Sequence, residues 1–247
     1  MNTVLKDGNT LTSVILLSSF IIILVFGILP QYDNLSNPYF VGPDSYYNLR
    51  TCKQTLQTGH YPYDTPDTLL DYPLNDKGAR PPLFNMIAIV ISLFTGNLQL
   101  VMATLPVIYG ALCVFPLYHL TRDMTNKKIA RLSVFLFSVT PIITSYSVSY
   151  FGRFDHDSFV LLLLLLILSF LVKSLKTDNT QSYLYASLSG LFLGATALSW
   201  VVYQIYSIIL VIFVAIKFMI DLIQNNRNNT LYSKTVSYTH LTLPTKA

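Results

Sequence analysis

Uncharged apolar stretches constrain this chain more than any other feature. Residues 11–29, 159–172 and 183–216 contain no Asp, Glu, Lys or Arg. At about 1.5 Å of rise per residue, a helix of roughly 20 residues crosses a hydrocarbon core of about 30 Å. A soluble domain has no place for several such segments. The charge content agrees, with 11% of residues charged against about 25% in soluble domains. Mean hydropathy is +0.50. The expected fold is an all-α membrane protein, a polytopic helical bundle whose solvent is the lipid bilayer.

The order of segments predicts a topology. Residues 11–29 form a first span preceded by Lys6, which suits a cytoplasmic N-terminus. No small-residue cleavage site follows, so the segment reads as a retained anchor. Residues 31–97 form a first outer loop rich in Pro, Tyr, Asp and Asn, with helices inside it. Its apolar piece, 83–94, opens sharply at Pro81-Pro82 and is short enough for an interfacial or re-entrant helix. Residues 98–120 and 129–150 make a hairpin around Arg122, Lys127, Lys128 and Arg131, a basic loop that belongs on the cytoplasmic side. The run 159–172 ends at Lys173 and Lys176, placed to snorkel. Residues 183–216 suffice for two spans with a tight turn near 200–204, and Lys217, Asp221 and Arg227 mark the return to the cytoplasm. The expected count is six spans.

Other features exclude functions or bound the chain. The net charge of +4 comes without a basic face interleaved with aromatics, so a nucleic-acid partner is not expected. Cys52 lies in a polar loop and Cys113 in an apolar run, so no disulfide between them is expected. Asn34-Leu35-Ser36 is a glycosylation sequon close to the membrane. Residues 236–247 resemble a translated sequencing-adapter read-through, unrelated in chemistry to the preceding helix. The genuine sequence is therefore expected to occupy 1–235 and to continue beyond Thr235 in the natural protein.

The chemistry-bearing residues gather in the expected outer regions. Asp155-His156-Asp157 stands where a span leaves the membrane. Alternate carboxylates on an extended turn can converge on one hard cation, because Mg²⁺ and Mn²⁺ favour oxygen ligands. Enzymes that hold phosphorylated sugar donors use such pairs, with the metal neutralising charge on the leaving phosphate. Taken alone, the triplet serves equally as the polar end of a helix. Asp44, in Gly42-Pro43-Asp44-Ser45-Tyr46-Tyr47-Asn48-Leu49-Arg50, falls on the same outer side. It reads both as a metal ligand and as the N-cap of an amphipathic helix presenting Tyr46, Leu49 and Leu56. His156 is expected to point away from its neighbours. Arg153 is placed either to bind a phosphate or to sit at headgroup level. His60, Tyr61 and Tyr63 read as interfacial packing, and Trp200, Tyr203 and Tyr206 as an interface belt. The sequence has no Walker loop, metal-binding Cys/His cluster or Ser/His/Asp order.

An acid opening the first outer loop, a Pro-Pro-Leu segment late in that loop and Gly152-Arg153-Phe154-Asp155-His156-Asp157 after the third span form a combination. Together they resemble the N-terminal half of the catalytic subunit of oligosaccharyltransferase, in its archaeal or bacterial single-subunit form, over residues 11–229. The resemblance implies the C-type glycosyltransferase fold and a multi-pass protein of a prokaryotic cell membrane with its active site outside. It implies transfer of an oligosaccharide from a polyprenyl (dolichol-type) phosphate or pyrophosphate carrier to Asn in Asn-x-Ser/Thr segments of an acceptor polypeptide. Asp44, Asp155 and Asp157 match the family's metal-binding acids, with Mn²⁺ or Mg²⁺ as the cofactor. Asp44 also matches the acid that faces the acceptor amide. One departure concerns the phosphate: family members commonly carry Arg seven residues before the first acid of the pair, where Val148 stands here. Arg153 is the candidate substitute. The later outer loop and the soluble C-terminal domain are missing, so the chain as written is expected to transfer nothing by itself.

Two other functions were compatible with the pattern. A different glycosyltransferase of the same fold, using a polyprenyl-phosphate sugar, would also place acids in the first outer loop, but not usually a D-x-D after the third span. A transporter or scaffold would carry charges in the middle of its spans, which are nearly free of them here. The enzymatic reading requires Asp44 and the Asp155/Asp157 pair to meet at one face of the bundle.

Overall fold

The computed structural model describes residues 2–29, 35, 38–63, 80–140 and 149–223. Asn34, Ser36, Val148, Arg227 and the tail 236–247 lie outside the described residues. Those described form nine α-helices and no strand: α1 Asn2–Ile28, α2 Pro43–Thr58, α3 Leu83–Thr95, α4 Leu98–Leu112, α5 Val114–Met124, α6 Lys127–Val139, α7 Asp157–Lys176, α8 Gln181–Ala197 and α9 Tyr203–Ile223.

Among the described residues, four segments are long and apolar enough to cross a bilayer: Asn9–Ile28, Leu98–Met124, Asp157–Lys176 and Tyr203–Ile220. The expectation of six is thus met in four. The other two expected spans appear as α6, 13 residues long, and α8, 17 residues long. In α8, Ser182, Ser187, Ser189, Gly190, Gly194 and Thr196 take the place of larger apolar residues. Small residues let helix backbones approach closely, and α8 packs along α7 with Ser189 Oγ donating to the Ile167 carbonyl at 3.0 Å. The turn that follows comes slightly earlier than expected, with α9 starting at Tyr203 so that Gln204 is already helical.

The second span is one rod with a defect. The helix breaks at Cys113 between α4 and α5. Pro116 explains the position, because it has no N–H to give the Leu112 carbonyl four residues back. The Pro116 carbonyl in turn accepts from Ser169 Oγ at 2.9 Å, which ties α5 to α7. As expected from Pro81-Pro82, α3 starts at Leu83, and it stops at Gly96 in the left-handed conformation.

The outer surface of the bundle suits lipid. Val14, Leu17, Ile21 and Val25 of α1 and Ile205, Ile208, Ile212 and Ile216 of α9 are all exposed. A soluble monomer would hide such continuous apolar surface. The core lies between α3, α4 and α7, around Phe84, Met102, Tyr109, Phe154 and Phe159. Basic side chains cluster at one end. Arg122 in the last turn of α5 and Lys173 and Lys176 in the last turn of α7 share one end, where Lys176 Nζ donates to the Asp123 carbonyl. Asp157 opens α7 at the other end, about 30 Å away at helical rise.

Candidate metal centre

The acid end is built around the segment 149–155, which threads between helices. Phe151 N–H donates to the Gly27 carbonyl of α1 at 3.1 Å, and Gly152 N–H to the Ala103 carbonyl of α4 at 2.9 Å. Gly152 has φ 84, a left-handed conformation that costs an L-residue with a Cβ. That bend turns the Gly152 carbonyl to accept from Val41 N–H at 3.0 Å, just ahead of α2. Phe151 and Phe154 are fully buried, and Phe154 stacks on Phe84 with ring centroids 4.2 Å apart. Asp155 is therefore delivered by a loop held at both backbone and side chain.

The triplet does not run extended. His156 is in the right-handed helical region and Asp157 is the first residue of α7, so the chain is already coiling. That brings His156 back between its neighbours, contrary to the expectation that it points away. Its Nδ1 lies 2.7 Å from Asp155 Oδ1 and its Nε2 3.7 Å from Asp157 Oδ1. The His156 backbone N–H also donates to Asp155 Oδ1 at 2.7 Å. Ligand atoms of Asp155, His156 and Asp157 all lie within 4.8 Å of one another. Burial raises the Asp155 carboxyl pKa. The His156 imidazole, the His156 N–H and the Arg153 guanidinium outweigh burial, and hold it below the ordinary carboxylate value. The Trp200 ring, expected in an interface belt, packs 5.5 Å from the His156 ring.

Asp44 reaches the same end by a different route. The N-cap of α2 is Gly42, which has no side chain to cap with, and Asp44 sits inside the first turn. The expected capping role is therefore not its role; it remains near the positive end of the helix dipole. The expected apolar face also differs. Tyr46 and Leu56 are exposed, while Ser45, Asn48, Leu49, Thr51, Cys52 and Thr55 are buried. Asp44 is not a member of the 4.8 Å group. Arg80 Nη2 donates to its Oδ1 at 2.6 Å, with the guanidinium 4.4 Å from the Tyr47 ring centre. The two acidic regions nonetheless interact, since the charge of Asp44 acts on Asp157. Arg153 acts on both Asp155 and Asp157.

Sequence reasoning missed Arg80, Asn48 and Asn85. Asn48 Nδ2 donates to the Phe154 carbonyl at 3.2 Å. Asn85 Nδ2 donates to Asn48 Oδ1 at 3.2 Å and to the Tyr61 hydroxyl at 3.1 Å. Tyr61 is thus a hydrogen-bonding member of the site and not simply interfacial packing. The available signal was an amide inside the apolar stretch 83–94, where burial of a polar group needs partners.

Fold and site together define a polytopic helical membrane protein with acids gathered at one end of its bundle. The family described as oligosaccharyl transferase STT3, N-terminal, matches residues 14–244, and this chain belongs to that family. A curated relative, dolichyl-phosphooligosaccharide-protein glycotransferase 2 of Archaeoglobus fulgidus, is 31% identical over 204 residues, covering 79% of this chain and 32% of the relative. The fold is similar to that of the archaeal oligosaccharyltransferase AglB from Archaeoglobus fulgidus, solved with an inhibitory peptide and a dolichol-phosphate. That match has a TM-score of 0.77 and 18% identity, over 94% of this chain and 28% of that one. A second structure of an Archaeoglobus fulgidus oligosaccharyltransferase, in complex with Zn and sulfate, matches with a TM-score of 0.70 and 22% identity, over 81% of this chain and 26% of that one. The chain thus spans about a third of the curated relative.

Proposed function

We propose that this chain is the N-terminal membrane part of a metal-dependent oligosaccharyltransferase. The whole protein would move an oligosaccharide from a dolichol-type phosphate or pyrophosphate carrier to the Asn amide of Asn-x-Ser/Thr acceptors. The observation that carries this reading is the gathering of Asp155, His156 and Asp157 within 4.8 Å, at the end of the bundle where the charge of Asp44 reaches Asp157, in a chain of this family. The named substrate class of the curated relative supports it, as do the Zn and dolichol-phosphate of the related structures.

The residues present fit a divalent cation. Two carboxylates and an imidazole supply hard oxygen and borderline nitrogen donors, a set compatible with Mn²⁺ or Mg²⁺. Asp155 and Asp157 would hold the ion with His156 between them, and Asp44 would complete the site from α2. When bound, the ion supplies Lewis-acid stabilisation of charge on the leaving phosphate. The Asp44 carboxylate accepts hydrogen bonds from the acceptor amide and fixes its direction. Arg153 neutralises a phosphate oxygen and takes the place of the more distant arginine. The acid end faces outside, and the N-terminus with the basic end faces the cytoplasm.

In the full-length protein, Asp155→Asn should abolish Asn-linked glycan transfer while the protein still inserts. Chelation with EDTA should do the same to the unmutated protein, with recovery on adding Mn²⁺ or Mg²⁺. Undiminished transfer by the Asp155→Asn protein would remove the basis of the assignment.

A further inference from the structure

A hydrogen-bonded path runs from the Asp155 loop to Asp44, buried at Asn48 and Asn85 and partly exposed at Tyr61, Arg80 and Asp44. It begins at the Phe154 carbonyl, one residue before Asp155, which accepts from Asn48 Nδ2 at 3.2 Å. Asn48 Oδ1 accepts from Asn85 Nδ2, which also donates to the Tyr61 hydroxyl. Tyr61 donates to the Arg80 carbonyl at 3.4 Å, and Arg80 Nη2 holds Asp44 Oδ1 at 2.6 Å. The hub of the path is Asn85, 2% exposed, with Asn48 at 3%.

Packing does not account for an amide at position 85. Its neighbours on the buried face of α3 are Phe84, Ala88 and Ile89, and an apolar side chain of similar size would fill the same volume. The amide even carries a cost, because Asn85 Oδ1 is buried with no hydrogen-bond partner among the described residues. What the amide adds is direction. One Nδ2 group donates along both arms, one toward the Asp155 loop and the other toward the Arg80–Asp44 pair. Groups outside the ligand shell that orient ligands are worth roughly 10–100-fold in metal affinity.

We infer that Asn85 is a positioning residue for the metal centre, setting the Asp155 loop and the Arg80–Asp44 pair in register through Asn48 and Tyr61. The inference rests on the proposed metal-dependent function. Its test is Mn²⁺ affinity, read by electron paramagnetic resonance on the full-length protein in micelles, in four forms.

The unmutated protein binds Mn²⁺ and Asp155→Asn loses it. Asn85→Leu binds about 10–100-fold more weakly, with helix content and insertion unchanged. Tyr61→Phe keeps the ring, removes only the hydroxyl and the Asp44 arm, and binds about tenfold more weakly. A purely structural role would lower thermal stability and leave Mn²⁺ affinity where it was. Wild-type affinity in Asn85→Leu overturns the inference. If Asn85→Leu fails to insert, wild-type affinity in Tyr61→Phe overturns it instead. Undiminished binding by Asp155→Asn is a different failure, one that removes the metal centre itself.

Discussion

Cys52 shows how closely the inner face of α2 sits on its neighbours. The residue is fully buried, its Sγ donates to the Asn85 carbonyl at 3.9 Å, and burial pushes the thiol up to about 12. Only the thiolate attacks electrophiles, and at pH 8 roughly one such thiol in ten thousand is ionised. Cys113 is also free and fully buried. Maleimide at pH 8 should therefore leave both cysteines unlabelled in native micelles and modify both after SDS denaturation. Rapid native labelling at Cys52 would mean that α2 is not seated on α3. The same seating explains what the sequence revealed at this scale. In the sequence, Asp155 and Asp157 stood out as carboxylates at the edge of an apolar run, and Asp44 as an acid in the loop after the first span. Arg80 and Asn48 did not, because their meaning lies in partners 36 and 106 positions away. The orientation of His156 was misread for a local reason: the triplet belongs to the start of α7, and helical backbone folds the ring back toward Asp155.

At the level of elements, the acid loop depends on a narrow passage between α1 and α4. A Cβ added to Gly110 would meet Ser149 Oγ at 2.0 Å and Ser149 Cβ at 2.4 Å, and one added to Gly27 would meet Val107 Cγ1 at 2.6 Å. The segment leading to Asp155 therefore passes where only glycine leaves room. Overpacking of this kind costs about 1–3 kcal/mol. Gly110→Ala is expected to lower the thermal unfolding midpoint in micelles by that equivalent and to weaken Mn²⁺ binding, because Ser149 cannot move without carrying Phe151 and Gly152. Gly194→Ala in α8 is the control. A Cβ there meets nothing within 4 Å, and alanine favours helix by up to about 1 kcal/mol, so its midpoint should hold or rise. Equal effects at the two positions would contradict the passage. The helices were largely legible from apolar length and from Pro81-Pro82. The passage was not, because nothing in the sequence pairs Gly110 with Ser149.

For the whole molecule, connectivity decides how α6 and α8 must run despite their shortness. α6 begins at Lys127, three residues after α5 ends at the basic end, and Ser149 packs against Gly110 and Gly27, the latter in the last turn of α1. α8 begins just after Lys176, at the basic end, and its following turn is tied to α3 by Leu83 N–H donating to the Leu198 carbonyl at 2.8 Å. The chain therefore passes from the basic end toward the acid end between Lys127 and Ser149, and again between Gln181 and Leu198. The 17 residues of α8 rise about 26 Å, which a locally thinned bilayer accommodates. Single cysteines test this with an impermeant maleimide, since both native thiols are buried. Gln57, Asn126 and Asn179 are exposed. In intact cells, Gln57→Cys should label directly, while Asn126→Cys and Asn179→Cys should label only after permeabilisation. The reverse pattern would invert the proposed orientation but keep the bundle. Labelling of Gln57→Cys and Asn126→Cys from the same side would do more damage. It would put the carboxylates and the basic loop 122–131 on one face, and a divalent centre set a membrane's thickness away from that loop could not then be sustained.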